Sequence, residues 1–279
     1  MLELVLFQRA LLACLIIGFA NGYTSAFVLM NRSPLKLSAL SHSLLPGVAV
    51  AALMVGLTVV SAFAGAVVMA VTIGACSLLL ARYSRLSQDT TLSILYTGAF
   101  ALGIVLLNRL GHAQELEHWL LGNILGLTDL DLQMSFWIGA LSVTLLTLFQ
   151  RPILLTLFEP NVARTLGVPV QAVNYISFAL LILVLVTTLQ AVGCVLSIGL
   201  IVTPGATVRL FSNRPRVIFI ASGILGALGA SIGLTVAYYA DYPAEASIVI
   251  TLTLIFLLSF LAKRIFEYLK DRIKIGVSS

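Results

Sequence analysis

Charge is what this chain has least of. Only 10% of its 279 residues are Asp, Glu, Lys or Arg, against about 25% in an ordinary soluble domain. A fold of this size in water must cover its surface with polar groups, yet 60% of these residues are apolar. That shortage excludes a soluble enzyme, a disordered chain and a nucleic-acid binder. Cysteine is scarce too. Cys14, Cys76 and Cys194 all sit inside apolar stretches, which argues against a disulfide framework, and no two have the spacing of a metal site. Glycine-rich phosphate loops are missing, so the chain is not expected to hydrolyse nucleotide itself. Strand-like alternation is missing, which excludes a membrane β-barrel. No linker, low-complexity run or internal repeat divides residues 1–279, which read as a single domain.

What is present is a succession of long apolar runs, with a mean hydropathy of +1.09. A helix crossing a bilayer takes about 20 residues, because it rises about 1.5 Å per residue through about 30 Å of hydrocarbon. Stretches free of Asp, Glu, Lys and Arg run over 10–31, 37–81, 90–108, 132–150, 165–208, 217–240 and 246–262. Two of them, 37–81 and 165–208, can cross twice, dividing at Gly56 with Thr58 and at Gly193. The expected fold is an all-α polytopic membrane protein of nine helices, or eight if 90–108 is re-entrant.

The few charges are sorted. With nine crossings and the C-terminus inside, 14 of the Lys and Arg residues fall on the inner side and only Arg9 and Arg109 outside. This positive-inside bias places the N-terminus outside and the C-terminus in the cytoplasm, with 263–279 as an interfacial tail. The outer side holds Glu3, Glu115, Glu117, Asp129, Asp131, Asp241 and Glu245, near His112 and His118. A negative mouth concentrates cations, although charge sorting alone also leaves acids there. His112, His118, Glu115 and Glu117 are candidates for outer metal capture, with plain surface residues as the simpler reading.

Ionisable groups inside a crossing are costly, so the exception counts. It is His42, in KLSALSHSLLPGVAVA, with Ser38 four residues earlier on the same helix face and Ser41 and Ser43 beside it. Pro46 has no N–H, so a helix through it leaves the His42 carbonyl without its usual donor. Imidazole, free carbonyl and hydroxyls together suit a divalent cation in transit or a proton relay. A packing kink with a hydrogen-bonded histidine explains the same residues, and both readings stay open. One histidine without a carboxylate is too sparse to store a metal. Pro204, in VTPGAT, is a second expected helix break, favoured as a packing kink. The segment LFEPNVARTLGVPV reads as a short inner helix, begun by Pro160 after Glu159 and ended by Gly167. Such a helix suits docking of a soluble partner; an ordinary loop is the other reading.

These pieces, in order, resemble the membrane subunits of ABC importers for manganese, zinc and iron. The matching segments are FQRALLA, ALSHSLLPGVAVA, SQDTTLSILYTGAFALGIVLL, LLGNILGL, FEPNVARTLGVPV, LQAVGCVLSIGLIVTPGATVRL and IVITLTLIFLLSFL, over roughly residues 7–262. The resemblance implies a permease of the type II ABC importer class in the bacterial cytoplasmic membrane, working by alternating access. It implies a second permease subunit, a cytoplasmic ABC ATPase dimer and an extracytoplasmic metal-binding protein as partners. ATP would be bound by the partner alone, and metal would be cargo, with no stably bound cofactor. Residues 158–168 match the family's coupling helix, with Glu159, Pro160, Asn161, Ala163, Arg164 and Gly167 as coupling residues; Asn161 stands where an acidic residue is common. His42 matches a pathway histidine, but the family's Asp four residues earlier is Ser38 here. Either the metal differs, or a carboxylate comes from elsewhere, or paired His42 side chains across a dimer suffice. The rival readings are a permease for a metal chelate or other small solute, an intramembrane enzyme using His42 with Asp89 or a serine, and a structural subunit.

Overall fold

The computed structural model describes residues 2–31, 34–56, 58–84, 86–109 and 122–277, with the side chains of most of these. Every regular element among them is helical. They are α1 (Leu2–Met30), α2 (Pro34–Ser43), α3 (Leu45–Val55), α4 (Val59–Ser84), α5 (Gln88–Arg109), α6 (Asp129–Leu148), α7 (Gln150–Phe158), α8 (Pro160–Thr165), α9 (Val170–Arg209), α10 (Pro215–Ala240) and α11 (Ala244–Val277), with one 3-10 turn at Ile124–Gly126. Seven helices are long and apolar enough to cross a membrane, and α2–α3 adds the shorter apolar segment Ala39–Val55.

Both expected divisions are present. Val55 ends α3 at Gly56, whose φ of 87° is left-handed, and α4 begins at Val59. Helix α9 has 40 residues, about 60 Å if it were straight, roughly twice the hydrocarbon thickness. It is not straight: Gly193 takes φ 77° and ψ 173°, non-helical angles that break the element in two. Counting both halves of α9, the described residues hold nine membrane-length or near-membrane-length segments.

The expected break at Pro204 lies elsewhere. Pro204 is inside the second half of α9, and the non-helical angles of that helix fall at Gly193. Proline removes the donor to the Leu200 carbonyl, and α1 bonds to the backbone beside it. Ser25 Oγ accepts the Gly205 N–H at 2.7 Å and donates to the Val202 carbonyl at 3.2 Å.

Helices α1 and α9 form the buried centre, and α4, α5, α6 and α11 expose most of their apolar surface around it. Lipid tails are as apolar as leucine, so close backbone packing holds such helices together rather than exclusion of apolar surface from water. Between α1 and α10 this packing is extreme. A Cβ added to Gly22 would lie 2.2 Å from the Ser222 carbonyl oxygen, and one on Gly226 would lie 2.3 Å from that of Gly18. Helices α3 and α4 meet the same way at Gly47 and Gly65. One buried polar pair joins α1 to α9: Asn21 Nδ2 donates to the Thr188 hydroxyl at 2.9 Å and to the Ile17 carbonyl at 2.8 Å.

The two ends of the bundle differ in charge. At one end Arg9 pairs with Asp129, and Glu245 accepts the Ile124 N–H at 2.6 Å. Asp131 at the same end closes a capping box with Thr128 and accepts from Gln190 at 3.4 Å. This is the acidic end. The opposite, basic end carries Arg151, Arg164, Arg209 and Lys263. There Lys263 Nζ donates to the Leu210 carbonyl at 2.5 Å, tying α11 to the end of α9. Residues 263–277 continue α11, which has 34 residues.

Candidate functional site

Helix α2 stops at Ser43, and Leu44 turns the chain into α3, with Pro46 in the first turn of the new helix. His42 therefore sits at the end of a helix, inside the bundle, beside the discontinuity. Its ring meets Phe100 of α5 edge-on at a centroid distance of 5.4 Å. Its Nδ1 lies 3.5 Å from the Cys194 sulfur. The side chain is half-buried, while Ser41 and Ser43 on either side are fully buried. Ser43 Oγ donates to the Leu40 carbonyl at 2.7 Å, and the Cys194 thiol donates to Ser41 Oγ at 3.5 Å.

Cys194 reaches this point because it follows Gly193. The break in α9 and the break between α2 and α3 thus face each other, and each contributes a side chain. Among the described residues, no group of three or more His, Cys, Asp or Glu side chains gathers around a common point. A single chain offers an imidazole, a thiol and a hydroxyl. Ser38 is in α2, but its side chain lies outside the described residues, as do His112, His118, Glu115 and Glu117. Asp89 is in the first turn of α5.

At the basic end, α7 leads into α8 through Glu159, and Pro160 opens the short helix. Gly167 closes it at φ 78°. The Val168 N–H donates to the Ala163 carbonyl at 2.9 Å and the Gly167 N–H to the Arg164 carbonyl at 3.1 Å. That is a Schellman termination, and it needs the left-handed residue that glycine supplies. Ala163 is fully buried and anchors the helix to the bundle. Glu159, Pro160, Asn161 and Arg164 are exposed. So are Phe158, Val162 and Leu166, at 55%, 44% and 68%. Val162 lies in α8, Phe158 ends α7 and Leu166 follows α8, so exposed apolar side chains surround the short helix.

The model of the ABC 3 transport family matches residues 3–263. The chain belongs to that family. This ABC 3 protein is 37% identical over 254 residues to the manganese transport system membrane protein MntC of Halalkalibacterium halodurans, covering 91% of this chain and 86% of the relative. It is 30% identical over 265 residues to the chelated iron transport system membrane protein YfeD of Yersinia pestis, covering 95% and 88%. Among solved structures, PsaBC from Streptococcus pneumoniae in complex with Fab superposes with a TM-score of 0.83 at 32% identity, covering 91% of this chain and 90% of that one.

Two residues of the His42 neighbourhood were not legible in the sequence as belonging to it. Phe100 is an ordinary apolar residue of its run, and Cys194 lies 152 positions from His42. No spacing rule spans that distance. The usable signal was Gly193, where a helix too long for one crossing had to turn.

Proposed function

We infer that this ABC 3 protein is the permease subunit of an ATP-binding-cassette importer for divalent metal ions. It works by alternating access in the bacterial cytoplasmic membrane, with its basic end and C-terminus in the cytoplasm. The observation that carries this reading is the half-buried imidazole of His42 at a helix discontinuity inside a family-matched bundle. An ionisable group kept at such a place needs a use, and a neutral imidazole can replace part of an ion's water shell for the moment of passage.

The remaining parts follow from the same reading. A metal-binding extracytoplasmic protein delivers the ion at the acidic end, near Asp129, Asp131 and Glu245. A cytoplasmic ATPase dimer seats against α8 and the exposed apolar side chains of Phe158, Val162 and Leu166. ATP is bound and hydrolysed there, so the permease is not itself an enzyme. Movement of α8 reaches α9 through Val168 and Pro169, and a second permease subunit completes the pathway. The metal is cargo and no cofactor stays bound.

The test is ATP-driven uptake by the reconstituted complex in liposomes. His42→Ala is expected to reduce uptake of divalent cation at least about tenfold, with the complex still assembled. Uptake unchanged by that substitution would remove His42 from the pathway. The relative named for chelated iron keeps a chelate permease as the second reading. Stimulation of the ATPase by free cation supports the ion; stimulation by the chelate alone supports the rival.

A further inference from the structure

We propose that Cys194 is a second metal-contacting residue of the pathway, and that His42 and Cys194 together make this permease select zinc-like borderline cations over manganese. The proposal rests on the ion-permease reading above and adds a ligand and a substrate preference to it. It starts from geometry. Zinc binds imidazole nitrogen at about 2.0–2.1 Å and thiolate sulfur at about 2.3 Å in a tetrahedral arrangement. Two such ligands lie roughly 3.6 Å apart by that geometry, and the Nδ1 to Sγ separation is 3.5 Å. The two groups are in hydrogen-bond contact, and their spacing also matches one edge of a coordination tetrahedron.

The protein spends structure on this placement. Cys194 directly follows Gly193, whose φ of 77° a side-chain-bearing residue rarely adopts. His42 directly precedes the end of α2. Two independent breaks in two crossings bring the pair together, with Ser41 Oγ 3.5 Å from the sulfur. No third His, Cys, Asp or Glu joins them among the described residues. The donor set of one chain is therefore one nitrogen, one sulfur and hydroxyl oxygen.

That set discriminates between metals. Manganese(II) prefers carboxylate, carbonyl and water oxygens and stands lowest in affinity for a given nitrogen or sulfur site. Zinc takes imidazole and thiolate readily, and the thiol proton leaves as the metal–sulfur bond forms. Two ligands from one chain leave positions for water, so the ion is recognised without being trapped.

The experiment uses the complete importer complex and has two readouts. In the detergent-solubilised complex, Co2+ serves as the probe for zinc. A cobalt–thiolate charge-transfer absorption in the wild type that vanishes in Cys194→Ser is expected; a band that persists in that variant, or none in the wild type, overturns the assignment. In liposomes, Zn2+ and Mn2+ uptake are compared across a concentration series. Cys194→Ser is expected to raise the half-saturating Zn2+ concentration about tenfold or more, while Mn2+ shifts much less. Equal shifts for both metals, or none, overturn the selectivity claim. Cys194→Ala guards against serine acting as a weak substitute ligand, and it should show the same Zn2+ loss. If the cobalt band behaves as expected but no cation enters the liposomes, the transport reading fails and the ligand assignment stands. If uptake proceeds and ignores Cys194, the reverse holds.

Discussion

Gly22 and Gly167 are both glycines, yet they answer to different constraints. Gly22 has no room: its missing Cβ would sit 2.2 Å from a carbonyl oxygen of α10. Gly167 has open space, and what it needs is its positive φ of 78°. Gly22→Val should push α1 and α10 apart and destabilise the detergent-solubilised protein by about 1–3 kcal/mol or more, as overpacking does. Gly167→Ala should cost only about 1–2 kcal/mol of left-handed strain. Thermal unfolding of the two variants side by side checks the order, and a Gly22→Val protein as stable as wild type would refute the close-packing account. Arg9 and Asp129 make the opposite case. Their pair is exposed on both sides, so Asp129→Asn should change stability by no more than about 1 kcal/mol.

At the scale of elements, α8 is a six-residue helix held from below and open above. Ala163 is its buried foot, Val162 is uncovered, and Phe158 and Leu166 are uncovered at either end. Val162→Asp and Leu166→Asp should leave the permease folded, because neither side chain supports the bundle, yet abolish copurification of the ATPase. Ala163→Asp should fail earlier, in folding. Circular dichroism beside pull-down separates the two outcomes; retention of the ATPase by both surface variants would place docking elsewhere. Helix α9 shows the other use of an element. The proline that was expected to break it lies inside the helix, where Ser25 of the neighbouring helix accepts the Gly205 N–H. The glycine breaks it, because its backbone can leave the helical region at no steric cost.

For the whole molecule, the decisive division is between its ends. The acidic end gathers Asp129, Asp131, Asp241 and Glu245, and the basic end gathers Arg151, Arg164, Arg209 and Lys263. Single-cysteine labelling in intact cells, in a background with the native cysteines replaced by serine, tests the assigned sidedness. Asp241→Cys should react with an impermeant reagent from outside, and Thr165→Cys only after the membrane is opened. The reverse pattern would invert the topology and with it the docking sides of both partners.

Much of this was readable from the residue string. Bilayer thickness sets helix length, so the apolar runs announced the crossings, and the doubled runs announced breaks at Gly56 and Gly193. Charge sorting gave the two ends, and Pro160 with Gly167 bounded α8. These properties depend on neighbours along the chain and on a solvent of known thickness, so local sequence is enough to determine them. Which break faces which is another matter. That Ser25 bonds to the backbone beside Pro204, and that the turn at Gly193 delivers Cys194 to within 3.5 Å of His42, depends on how separate helices pack. Their separation along the chain carries no trace of it, because close backbone packing against other helices, rather than the sequence nearby, chooses those contacts.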